Sequence, residues 1–190
     1  TDPSRVAAAS LAPPARGHRY LKLMAHHMVP GIDAAFMAAC RNVFLIRHPV
    51  RVLASYAARR ENPTLEDIGA RRMLELFEQA RALGPAPVVI DSADIRADPE
   101  GMLRALCAAL GLGFDPAMLS WPAGGNPADG VWAPHWYGAI HRSTGFAGPE
   151  GPPPDLPASL ARLAEDARAP YDALARHRLL SAGNTPWQRP

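Results

Sequence analysis

In the stretch NVFLIRHPVRVLASYAARR (residues 42–60), Arg47 stands at the mouth of an apolar run, and Arg51, Ser55 and Arg59 follow at four-residue intervals. On a helix that spacing puts the last three on one face. The guanidinium forks of Arg51 and Arg59 and the Ser55 hydroxyl can then meet one anion, with Arg47 arriving from the preceding strand; a phosphate suits such donors. A helix opening at Pro49 adds the positive end of its dipole and its first amides to the same place. The competing reading is a solvated arginine face, with Ser55 a neutral filler and Arg47 paired to a loop carboxylate.

Lys22 is the sole lysine among twenty basic residues, and it precedes His26 and His27 in YLKLMAHHM. A histidine can remove the proton of a hydroxyl near neutral pH, and a lysine can stabilise charge on a leaving group. Adjacent histidines on a strand point to opposite faces, so at most one of this pair faces a site. No further ligands stand at a spacing that would make a metal site of them, and no metal is expected. Trp132, His135, Trp136, Tyr137 and His141 gather in a later stretch, where they form either a lid or platform for a ligand or a packed aromatic loop.

These residues need a scaffold. RYLKLMAHHMV reads as a strand ended by Pro30-Gly31, and IDAAFMAACR as a helix with Ile32, Ala35, Phe36 and Ala39 on one face. NVFLI and PVVIDSADI read as strands buried on both faces. Between them lie a helix from Pro49, with Val50, Leu53, Ala54 and Ala57 inward, and a long helix from the Thr64/Asp67 capping box to Gly84-Pro85. Asp98 caps a helix with Pro99 at its first position, Leu103, Leu106 and Leu110 inward, and Gly111 as its stop. The order predicts an α/β fold with a parallel β-sheet flanked by helices, in one domain of 190 residues. Its core covers about residues 18–115. A Pro/Trp-rich loop or lid follows at about 116–157, then a C-terminal helix at about 157–180, bent or interrupted at Pro170, and a loose tail from Ser181.

Composition narrows the partners. A formal net charge of +2 does not call for nucleic acid or an anionic membrane, and no apolar run reaches the length of a membrane span. Cys40 and Cys107 show no ligand or redox spacing, which suggests a reducing, cytoplasmic setting.

FLIRHPVRVLASY resembles the segment of the sulfotransferases that holds the 3'-phosphate of 3'-phosphoadenosine 5'-phosphosulfate, where a strand ends in Arg-(Asp/Asn)-Pro and a serine lies eight residues beyond the arginine. DSADIRADPEGMLRALCAALGL is similar to a second segment of that family, and HRSTGF extends the likeness. The nearest subgroup is bacterial, carries an HMAHHM-type strand, and is in plants sometimes labelled aminotransferase-like. The resemblance implies a P-loop NTPase-like fold and makes Arg47, Ser55 and Arg51 cofactor-binding residues, with Arg142 and Gly145 in a later loop that closes over the nucleotide. It assigns charge stabilisation to Lys22 and the base to His26 or His27, a choice the register leaves open. His48 replaces the usual Asp or Asn, and Ala93 a common acidic residue. The family's 5'-phosphosulfate loop has no counterpart here and no G-x-x-x-x-G-K-[ST] occurs, so the loop is expected upstream of Thr1, and the fold is expected to be N-terminally incomplete, by truncation or degeneration.

The expected function is transfer of a sulfuryl group to a small hydroxyl or amine acceptor; the alternative is a non-catalytic nucleotide- or partner-binding domain. A pyridoxal-phosphate transaminase is disfavoured, because Lys22 lacks a supporting motif. An uncovered edge where a first strand belongs predicts self-association into a homo-oligomer.

Overall fold

The computed structural model describes residues 5, 7–8, 11–12, 14–28, 32–58, 60–127, 129–131 and 133–181, and the side chain of Trp136 lies outside that description. In chain order the elements are 3₁₀ turns at Ala25–His27 and Ala34–Ala39, β1 (Val43–Ile46), α1 (Pro49–Ala57), α2 (Leu65–Ile68), α3 (Ala70–Leu83) and β2 (Val88–Asp91). Then come α4 (Ser92–Ala97), α5 (Pro99–Leu110), a 3₁₀ turn at Pro116–Leu119, α6 (Ala133–Trp136), α7 (Gly138–His141), α8 (Ala158–Asp166) and α9 (Arg168–Ala175). They fall into two compact units, residues 1–92 with 152–179, and residues 93–151 with 180–190.

The first unit holds the sheet. β1 and β2 pair in parallel, with Val43 opposite Val88 and Ile46 opposite Asp91. Parallel strands cannot be joined by a tight turn, and α1 to α3 supply the crossover. Phe44, Ile46 and Val89 share one sheet face and form the core with Leu76, Phe77 and Ala80 of α3 and Leu174 and Ala175 of α9. The Phe44 and Phe77 rings meet edge to face at 5.5 Å, a favoured aromatic geometry. The other edge of β2 is met by the chain at Arg178–Leu179, whose Leu179 amide donates to the Val89 carbonyl at 2.7 Å. On the far face of β1, Val43 and Leu45 are exposed, Leu45 by 54%.

The α/β class agrees with the sequence reading, and several elements differ from it. The strand expected from Arg19 is absent: residues 19–24 have no regular structure, and Ala25–His27 is a 3₁₀ turn. A strand exists only by pairing, and this segment has no ladder partner among the described residues; Tyr20 is 85% exposed. The Pro30-Gly31 stop lies outside the described residues. The helix expected at IDAAFMAACR is a 3₁₀ helix that Asp33 caps by accepting from the Ala35 amide. The long helix from Thr64 keeps its capping box but breaks at Gly69, which holds a φ of 64° between α2 and α3. A β-carbon there would lie 3.0 Å from the His26 amide nitrogen, so glycine serves both the turn and the approach of the 3₁₀ turn.

β2 ends at Asp91, and the residues expected to continue it coil into α4. The C-terminal helix divides at Ala167 and not at Pro170. A break there leaves Pro170 in the first turn of α9, where a missing amide proton costs nothing. The expected loose tail beyond Ser181 lies outside the described residues.

In the second unit, Asp98 caps α5 by accepting from the Gly101 amide at 2.9 Å, and Gly111 ends the helix at a φ of 70°. Ser181 donates to the other oxygen of Asp98 at 2.7 Å. Met102 and Cys107 are the buried residues of α5, flanked on the same face by the half-buried Leu103, Leu106 and Leu110. No helix among the described residues is long and apolar enough to cross a membrane.

Gly69→Ala is expected to destabilise the fold by more than about 1 kcal/mol, because alanine is strained at positive φ and its methyl meets the His26 backbone. Urea unfolding measures this; an unchanged midpoint would contradict the role given to Gly69.

Candidate functional site

The carboxyl edge of the sheet collects the polar groups of an otherwise apolar core. Arg47 follows Ile46, and Ile46 is in register with Asp91, so the two strands deliver Arg47 and Asp91-Ser92 side by side. Arg47 is half-buried. Asp91 is only 4% exposed, and its Oδ2 accepts a hydrogen bond from the Tyr171 hydroxyl at 2.6 Å. The Tyr171 ring meets His48 edge on, 5.4 Å between centroids. Ser92 Oγ is buried with no hydrogen-bond partner among the described residues.

Helix α1 leaves this edge with Pro49 and Leu53 buried. Arg51 and Ser55 lie on the opposite side, half-buried and exposed respectively, and no acidic residue occupies the first turn. The four-residue spacing therefore brings Arg51 and Ser55 to one face, as expected; Arg59 lies outside the described residues. The helix start differs from expectation in one respect. The amides of Arg51 and Val52 both donate to the His48 carbonyl, at 2.9 and 3.2 Å, so they are turned back on the helix.

Lys22 lies exposed in the irregular segment before the first 3₁₀ turn. His26 and His27 belong to that turn, so they do not alternate across a strand; their rings touch edge on, 4.2 Å between centroids. The turn is held from α3 by Arg72, whose Nε donates to the Met28 carbonyl at 2.6 Å. Burial of the imidazole lowers the His26 pKa below the usual histidine value, with a further push from His27, opposed by Asp67 and aided by Arg60. His26 is therefore neutral at pH 7, the state that accepts a proton.

Arg142 and Gly145 lie in the second unit. Arg142 is exposed, and Gly145 forms an antiparallel bridge with Ser120. The Trp121 indole donates to Ser143 Oγ at 3.0 Å, and Ser143 in turn donates to the Ile140 carbonyl at 2.7 Å. His141 Nε2 lies 2.9 Å from Asp129, whose pKa is lowered by the Asn126 amide and then by His141. Among the described residues no three His, Cys, Asp or Glu side chains cluster as metal ligands would.

Sequence reasoning did not single out Asp91 or Tyr171. An acidic residue closing the apolar run PVVI was a signal for the first. Nothing local marks a tyrosine eighty residues further on as its partner.

The folded state holds the His26 pKa below that of the unfolded chain, so the unfolded chain binds the proton first as pH falls. Stability from His26 is thus full above about pH 6.5 and declines as pH drops from there toward the folded-state midpoint. NMR titration should place the His26 midpoint below that of free histidine, and lower still in Asp67→Asn; a midpoint above 6.5 would contradict this.

A family profile described as "Sulfotransferase domain" matches residues 1–177. Two relatives from Arabidopsis thaliana are similar: "Branched-chain-amino-acid aminotransferase-like protein 1", 34% identical over 160 residues, and "Branched-chain-amino-acid aminotransferase-like protein 2", 31% identical over 165 residues. The matches cover 84% and 87% of this chain and 29% of each relative, so the chain spans less than a third of their length. No solved structure matches it. With the profile extending over nearly all of the described residues, the chain belongs to the sulfotransferase domain family.

Proposed function

We propose that this chain acts in sulfuryl transfer from 3'-phosphoadenosine 5'-phosphosulfate to a small hydroxyl or amine acceptor, with Arg47 as the anchor of the 3'-phosphate. The carrying observation is the place of Arg47, half-buried at the carboxyl end of β1 directly before α1, with Arg51 and Ser55 on one face of that helix. Ligands of open parallel sheets bind at such ends. The donor set fits a phosphate: two guanidinium groups, a hydroxyl and no carboxylate in the first turn of α1.

The cofactor, when bound, supplies the activated sulfuryl group. In this reading Arg47 and Arg51 fix the nucleotide by charge-assisted hydrogen bonds, and Ser55 adds a neutral one. His26, neutral through burial, takes the acceptor proton on its imidazole, and Lys22 contributes positive charge. His27, with its ring against His26, is the other candidate for the base. The parts of Arg142 and Gly145 rest on the family resemblance. "Aminotransferase" in the relatives' names describes proteins of which this chain matches 29%, and that activity is not carried over.

Calorimetric titration with adenosine 3',5'-bisphosphate tests the reading. The wild-type chain should bind, and Arg47→Ala should weaken binding by roughly 10- to 100-fold, as expected for loss of a charge-assisted contact. Equal affinity in the variant, or no binding by the folded wild type, would reject Arg47 as the anchor.

A further inference from the structure

We propose that Tyr171 of α9 is a positioning residue for the Arg47 site, acting through Asp91 and His48; this rests on the reading of Arg47 as a phosphate anchor. The turn between β1 and α1 is only two residues long, Arg47 and His48. His48 occupies the N-cap without a side-chain capping bond, Pro49 has no amide proton, and the Arg51 and Val52 amides return to a single carbonyl.

Two contacts of one side chain tie this turn and the end of β2 to α9. The Tyr171 hydroxyl donates to Asp91 Oδ2 at 2.6 Å, and the same ring packs edge on against His48 at 5.4 Å. Asp91 is in register with Ile46, one residue before Arg47, so Tyr171 reaches the ends of both strands. A carboxyl buried to this degree depends on its hydrogen-bond partners, and an O–H···O bond of 2.6 Å is short and directional. Helix α9 is itself set by Leu174 and Ala175 in the core. Tyr171 thus carries the position of a packed helix to the turn that presents the Arg47 guanidinium.

Tyr171→Phe keeps the ring and removes only the hydroxyl. Adenosine 3',5'-bisphosphate and adenosine 5'-monophosphate are titrated into wild type, Tyr171→Phe, Arg47→Ala and the double variant. Tyr171→Phe should weaken the bisphosphate ~10-fold, leave the monophosphate within about twofold, and add little in the Arg47→Ala background. Equal weakening of both nucleotides, or full additivity with Arg47→Ala, would overturn the positioning role and leave the phosphate reading standing. Amide hydrogen exchange of the ligand-free proteins gives an independent readout: Tyr171→Phe should exchange faster at Val50 to Leu53, with Val89 still protected. Unchanged exchange there overturns the positioning role. Failure of wild type to bind the bisphosphate overturns the phosphate reading instead, and exchange then decides the positioning role by itself.

Discussion

The parallel pairing of β1 with β2 is the constraint on which the rest of the first unit depends. Its register sets Ile46 against Asp91, so a cation and a carboxylate leave the sheet at the same edge. It also turns Phe44, Ile46 and Val89 to one face, where α3 and α9 close over them. Each large apolar side chain buried in that cluster contributes about 1.5–3 kcal/mol before chain entropy is subtracted. A slip of one residue would turn those side chains to the opposite face and separate Arg47 from the packing that supports it.

The polar groups at that edge break the rules that the core otherwise keeps. Asp91 is an acid only 4% exposed, and Ser92 Oγ is buried without a partner among the described residues. Departures of this kind concentrate where a fold does chemistry, because the cost of holding them is borne by the surrounding packing. With a net charge of +2 the chain exerts little global attraction on an anion, so the proposed recognition is a local one that depends on where a few guanidinium groups are held. The neutral state of His26 has the same character, since burial more than any single neighbour holds it there.

Much of this was legible in the sequence, and what was not has physical causes. NVFLI and PVVI announced their strands through unbroken apolar runs, and the Thr64/Asp67 box, Asp98, Pro99 and Gly111 marked helix ends through chemistry confined to a few residues. RYLKLM misled because its apolar content matches a strand, whereas strand formation is decided by a partner that local pattern does not reveal. Gly69 was hidden by the apolar period on either side of it; the need for glycine comes from the His26 backbone. At the site, the spacing of Arg47, Arg51 and Ser55 was visible. The Asp91–Tyr171 bond was not, because it joins elements that only tertiary packing brings together.

The bond between Leu179 and Val89 also orders events during synthesis. It joins positions ninety residues apart, and it covers the edge of β2 that β1 does not. Closing so long a loop is entropically expensive, and the closing segment leaves the ribosome well after both strands. For that interval the nascent sheet carries an open parallel edge rich in valine and isoleucine, a template for pairing with another chain. The stretch around Leu179 thus works as the latch of the fold: chains shortened before it would retain both strands and lose the protection of their edge.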